Sequence, residues 1–178
     1  GDFGDYLAFI RVHGDWPGLA LLRERGDRKL PTGLPEQDIR DWFGDGLPAT
    51  LRAEEAYLTT LDDDAAKVER ERFWLSAPLD LAEETTLLAA HREQLEPLMT
   101  ARAAAMLDLQ EWAQADRLLP RLPEADRPLL AARIALQSGR GGVDDLILAL
   151  PADTRADPGL TLDRFLWRVS AKQHEGAQ

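Results

Sequence analysis

The chain has 178 residues and sets 32 acidic side chains against 21 lysines and arginines, a formal net charge of −11, with no cysteine. That balance argues against nucleic acid or an anionic membrane surface as the main partner, because both reward dense positive charge. It also excludes disulfides, cysteine nucleophiles and thiolate metal sites, while leaving the compartment open.

Alternating β-branched runs are scarce, whereas apolar spacings of three, four and seven recur, so the sequence reads as all-α. Tyr6, Phe9, Ile10 and His13 make the first apolar stripe. In "HGDWPGLALL", Gly14 is expected to end that helix, Asp15 to cap the next, and Pro17 to occupy its first turn. Trp16 then stands as a wedge between two helices. Pro35 opens "EQDIRDWF", where Trp42 is a second candidate wedge, and Thr50 precedes "LRAEEAYLTTL", with Leu51 and Leu58 on one face. Asp62, Asp63 and Asp64 form a capping run before "AAKVERERFWL".

After the break "SAPLD", a long helical stretch is expected from about Leu81, divided by Pro97. Trp112 comes before a stripe of Ala115, Leu118, Leu119 and Leu122, as a third candidate wedge. "LPRLPEADRP" and "SGRGG" are connections, the second leading into Val143, Leu146, Ile147 and Leu150. "PADTRADPG" leads into the last stripe, Leu162, Phe165, Leu166 and Val169. The elements are short and locally linked, which favours a superhelix or solenoid of antiparallel helix pairs in a single domain spanning 1–178. No stretch approaches the roughly 20 apolar residues of a membrane span, so an integral membrane protein is not expected. No basic-then-apolar leader is present. The abrupt opening "GDFGDYLAFI" is read as the start of a segment excised from a longer protein.

Side chains able to carry chemistry are scattered. His13, His91 and His174 lie far apart and match no metal spacing, with His91 read as a helix-seam residue. Glu83 and Glu84 are neighbours that diverge on a helix, unlike the facing carboxylates of glycoside hydrolysis. "GRGG" at Gly139–Gly142 lacks the strand and lysine of a phosphate loop. The three serines, Ser76, Ser138 and Ser170, match no nucleophile elbow. No residue is assigned a catalytic, cofactor-binding or metal-ligating role.

Three segments carry a family resemblance: "GDFGDYLAFIRVHGDWPGLALLRERG" (Gly1–Gly26), "ADRLLPRLPEADRPLLAARIALQ" (Ala115–Gln137) and "GVDDLILALPADTRADPGLTLDRFLWR" (Gly142–Arg168). In order, they resemble the amino-terminal α-superhelix of bacterial soluble lytic murein transglycosylases, with its "DWPGL", "AxRMLP", "ARxAL", "VDxLI" and "DPGLAYxRFxWR" patterns. Two stretches depart from the family. "MTARAAAMLDLQEWAQADRLLP" keeps Arg102 and Asp108 but lacks a Leu-Leu-Trp, and "PATLRAEEAYL" replaces a Gly-rich helix start.

The resemblance implies a periplasmic, non-catalytic scaffold segment that forms a ring or arc accommodating peptidoglycan glycan strands. A covalently linked lysozyme-like domain downstream would cleave the β-1,4 bond between N-acetylmuramic acid and N-acetylglucosamine. Its glutamate, in a Glu-Ser pair, would yield a 1,6-anhydromuramyl product, and no Glu-Ser dipeptide occurs in this chain. The alternatives are a tetratricopeptide-like protein-binding repeat, which predicts a period of about 34 residues that is not seen, and an unrelated all-α enzyme.

Overall fold

The computed structural model describes residues 2–175, with the side chains of Glu24 and of residues 171–175 outside that description. His174 therefore lies outside the described side chains. Among the described residues the protein is all-α, with twelve α-helices and three short 3-10 turns. Packing groups them into two compact units, Gly1–Leu87 and Leu88–Gln178.

The first unit holds α1 (Phe3–Val12), α2 (Leu19–Asp27), α3 (Glu36–Phe43), α4 (Leu51–Leu58) and α5 (Asp63–Ser76), and the division falls within α6 (Leu81–Ala90). Helix starts follow local chemistry. Asp2 and Asp5 form a reciprocal capping box on α1, Thr50 accepts from the Ala53 amide, and Asp62 accepts from the Ala65 amide at 2.8 Å. Asp80 and Glu83 likewise form a reciprocal box, each carboxylate accepting from the other's backbone amide, at 2.9 and 3.0 Å. Packing is mostly sequential: α1 lies against α2 and α3, α3 against α4, and α4 against α5.

The core of this unit is Phe3, Leu7, Ile10, Leu19, Leu30, Ile39, Trp42, Phe43 and Ala53. Two expectations change here. The inward face of α1 is Phe3–Leu7–Ile10, with Tyr6 at its edge, while Phe9 and His13 face outward. Asp15 does not cap α2; the chain makes a turn at Trp16–Pro17, and Gly18 is the N-cap without a side-chain bond.

The second unit holds α7 (Arg92–Leu95), α8 (Met99–Asp108), α9 (Trp112–Leu118), α10 (Arg127–Ser138), α11 (Val143–Leu148) and α12 (Pro158–Glu175). The long stretch expected from Leu81 breaks twice. His91 leaves helical geometry at φ −129° and ψ 39°, and Pro97 sits in the 3-10 turn Glu96–Leu98. Helix α8 packs on α9, while α10 is central and touches α8, α9, α11 and α12. Its core includes Ala132, Ala135, Leu136, Val143, Ile147, Leu150 and Leu160.

The two middle stripes face inward as expected through Ala115, Leu118 and Leu122 and through Val143, Ile147 and Leu150, while Leu119 is half-buried and Leu146 is exposed. The last stripe does not. Leu162, Phe165, Leu166 and Val169 are exposed, and α12 turns Leu160 and Asp163 inward instead. The physical reason is ionic, because Asp163 reaches a buried arginine of α10.

Candidate functional site

The three wedge candidates have different fates. Trp42 is fully buried in α3 against α2, where an ideal Cβ on Gly26 would lie 2.3 Å from its Cη2. A buried indole N–H left unpaired costs about 1–3 kcal/mol, and Trp42 Nε1 meets this by donating to Asp27 Oδ1 at 2.8 Å. Asp27 also accepts from the Ala49 amide at 3.0 Å. Burial still pushes the Asp27 carboxyl above its ordinary value, against the pull of Trp42, Ala49 and Arg23.

Trp16 is not a buried wedge, since it is 46 % exposed. Trp112 starts α9 half-buried, with the Arg140 guanidinium 5.8 Å from its ring centroid. Arg140 also pairs with Asp116, so the "GRGG" connection is tied to α9. Gly139 (φ 70°) and Gly142 (φ 79°) close α10 and open α11 in left-handed geometry. This segment serves as a helix connection.

Each serine hydroxyl bonds its own helix: Ser76 to Arg72, Ser138 to the Ala135 carbonyl, and Ser170 to the Leu166 and Trp167 carbonyls. His13 stacks on Phe9 at 4.6 Å in the first unit, and His91 marks the break before α7 in the second. Among the described residues no group of three or more His, Asp or Glu side chains is arranged to hold a metal ion. No described helix is long and apolar enough to cross a membrane.

Sequence reading missed two buried charge clusters. In the first unit, Glu54 of α4 is fully buried beside Glu69 and Arg72 of α5, with Arg72 Nη2 3.7 Å from its Oε2. Arg72 sits closer to Glu69, at 2.6 Å, so the arginine neutralises Glu69 first. Burial pushes the Glu54 carboxyl up to about 8, and the neighbouring Glu69 charge adds to this against Arg72 and Arg70. The signal was present in the spacing, because Leu51, Glu54 and Leu58 fall at i, i+3 and i+7 on one helix face.

In the second unit, Arg133 of α10 donates through Nε to Asp163 Oδ2 at 2.7 Å and through Nη2 to Asp108 Oδ1 at 2.8 Å. Asp163 Oδ1 accepts from Gln137 at 2.8 Å. The guanidinium lies on Gly159, where an ideal Cβ would come within 2.5 Å of Cζ. The "ARxAL" arginine and the "DPGL" glycine are thus one packing unit.

Several clefts open on the surface of the described residues. At the α1–α2 corner a cleft of about 400 Å³ is lined by Ile10, Arg11, Gly14, Arg23, Asp41 and Asp45, together with Gly44. Arg11 bridges Asp38 at 2.6 Å and Asp41 at 2.7 Å, both on α3. Gln37 and Arg11 hold the Asp41 carboxyl below its ordinary value.

Known proteins supply no assignment. No protein-family model matches the chain, and neither a curated protein nor a solved structure matches it significantly.

Proposed function

We propose that this chain is a non-catalytic superhelical scaffold segment of a periplasmic peptidoglycan lytic transglycosylase. The observation that carries the reading is how the patterns of the resemblance are used. Gly159 of "DPGL" on α12 receives Arg133 of "ARxAL" on α10, so these motif residues serve helix packing, and Gly18 of "DWPGL" lies under the Trp16 ring of its own turn. The buried ionic groups support the same role, since Arg133, Asp163, Asp27 and Glu54 face partners on neighbouring helices. Mostly local packing of each helix on its neighbours is how stacked arrays propagate, which supports a solenoid-like helical repeat.

In this reading the β-1,4 cleavage belongs to a linked lysozyme-like domain, and the segment presents or positions the glycan strand. The purified chain, incubated with isolated murein sacculi, is expected to release no 1,6-anhydromuropeptides by mass spectrometry. Their appearance, from a preparation free of other murein hydrolases, would contradict a non-catalytic role. A protein-binding helical repeat is the second reading. It is favoured by the exposed apolar row Leu162, Phe165, Leu166 and Val169 on α12.

A further inference from the structure

We propose that the face of α12 turned away from α10 docks an amphipathic helix of another protein, one whose apolar row is edged with carboxylates. Leu162, Phe165, Leu166 and Val169 fall at i, i+3, i+4 and i+7, and all four are exposed, Phe165 at 61 %. At 3.6 residues per turn this row lies about 160° around the helix from Leu160 and Asp163, the residues that pack toward α10. A helix that is apolar on opposite sides has the pattern of one packed from both. The second unit covers only the inner side.

The charge beside the row selects the partner. Arg164 and Arg168, one turn apart, run along one edge, and the uncharged Ser170 lies on the other. Between residues 157 and 170 both acidic side chains are spent inside the unit. Asp157 accepts from the Leu160 amide at 2.8 Å, and Asp163 from Arg133 at 2.7 Å. Among the described residues neither Arg164 nor Arg168 has a hydrogen bond or an ion pair. By contrast, Arg11, Arg40, Arg72, Arg133 and Arg140 pair with carboxylates of the chain itself. The row therefore has a one-sided, unsatisfied basic edge. Charges beyond about 8 Å are screened at physiological ionic strength, so this edge, not the net charge of −11, meets an incoming helix.

A second copy of the chain fits less well. Two α12 helices packed antiparallel about a two-fold axis meet same edge to same edge, which sets arginine against arginine. Packed parallel, the arginines face the uncharged edge. An anionic membrane also fits less well, because recruitment to lipid uses clusters of about four to eight basic side chains and this edge has two. A partner helix with leucines on one face and glutamates beside them satisfies row and edge together. This inference names the partner for the protein-binding reading above and does not depend on the murein assignment.

The test titrates a fluorescent helical peptide with the chain and follows its anisotropy. The peptide carries leucines at i, i+3, i+4 and i+7 and glutamates along one flank, and a twin carries lysines in their place. The glutamate peptide is expected to saturate, and the lysine twin to bind about tenfold more weakly. Phe165→Ala is expected to weaken binding about tenfold, whereas Leu148→Ala, at an exposed leucine of α11, leaves it unchanged. Arg164→Glu combined with Arg168→Glu is expected to reverse the preference between the peptides. Neither arginine is tied to the described chain, so the swap spares the fold. Equal binding of the two peptides, or an unchanged preference in the swapped chain, overturns the acidic partner and leaves a protein-binding face. Binding of neither peptide overturns the docking surface and the protein-binding reading together. Dimerisation in sedimentation equilibrium that Phe165→Ala abolishes would assign the face to a second copy. Binding to phosphatidylglycerol vesicles that the same variant abolishes would assign it to lipid, and either result overturns the proposal.

Discussion

Replacing Arg133 by methionine is expected to cost the second unit about 3–5 kcal/mol, the usual penalty for removing one partner of a buried ion pair. Asp163 is 2 % exposed and would be left with only glutamine donors, from Gln137 at 2.8 Å and Gln110 at 3.4 Å. The cost is the stranded carboxylate more than the lost attraction. Arg133→Met combined with Asp163→Leu is therefore expected to recover most of the loss, since a well-packed apolar pair often matches a buried ionic one. Urea denaturation followed by far-ultraviolet circular dichroism measures both. A single mutant within about 1 kcal/mol of the parent would show that the network does not hold the unit together.

Glu54 gives the second large effect, and its sign is set by the direction of its shift. Its carboxyl titrates near 4.5 when unfolded and near 8 when folded. Between those values the folded chain binds the proton that the unfolded chain has released, so stability falls as pH rises. The contribution is fully present below about pH 4.5 and is lost as pH rises through about 8.

Glu54→Gln keeps the shape and removes the charge. It is expected to leave stability near that of the parent at pH 4.5 and to raise it by on the order of 2 kcal/mol at pH 9. The shift spans several pH units, but local opening and water entry reduce the measured effect. Denaturation midpoints of the two chains from pH 4.5 to 9 provide the check, and parallel profiles would contradict a protonated buried Glu54.

These residues show which parts of the fold are legible in sequence. Local signals are reliable because their physics is local: Asp62 and Thr50 cap the helices they precede, and Gly139 ends one in left-handed geometry. Apolar periodicity finds a stripe but not its orientation when two faces compete. On α12 the row Leu162–Phe165–Leu166–Val169 is the more apolar, yet Leu160 and Asp163 face the core because Arg133 lies there. On α1, Phe9 loses the inward position to Leu7 because Trp42 of α3 packs on Phe3, 4.8 Å away between ring centroids.

The candidate cleft was legible only in part. "HGDWPGLALL" carries His13, Asp15 and Trp16 together, and the corner does expose an aromatic face. Its arginine was silent in sequence, since Arg23 reaches Trp42, 19 positions further on, only after α2 and α3 pack. The glycines carried the most recoverable information. Gly18, Gly26 and Gly159 each lie under a planar group, and the close approach leaves no room for a Cβ.

The scaffold assignment is tested most directly by sequencing the gene beyond the codon for Gln178. The expected result is a continuous reading frame that enters a lysozyme-like domain carrying a Glu-Ser pair. A frame that closes without such a domain, or continues into an unrelated one, would contradict the assignment to a lytic transglycosylase.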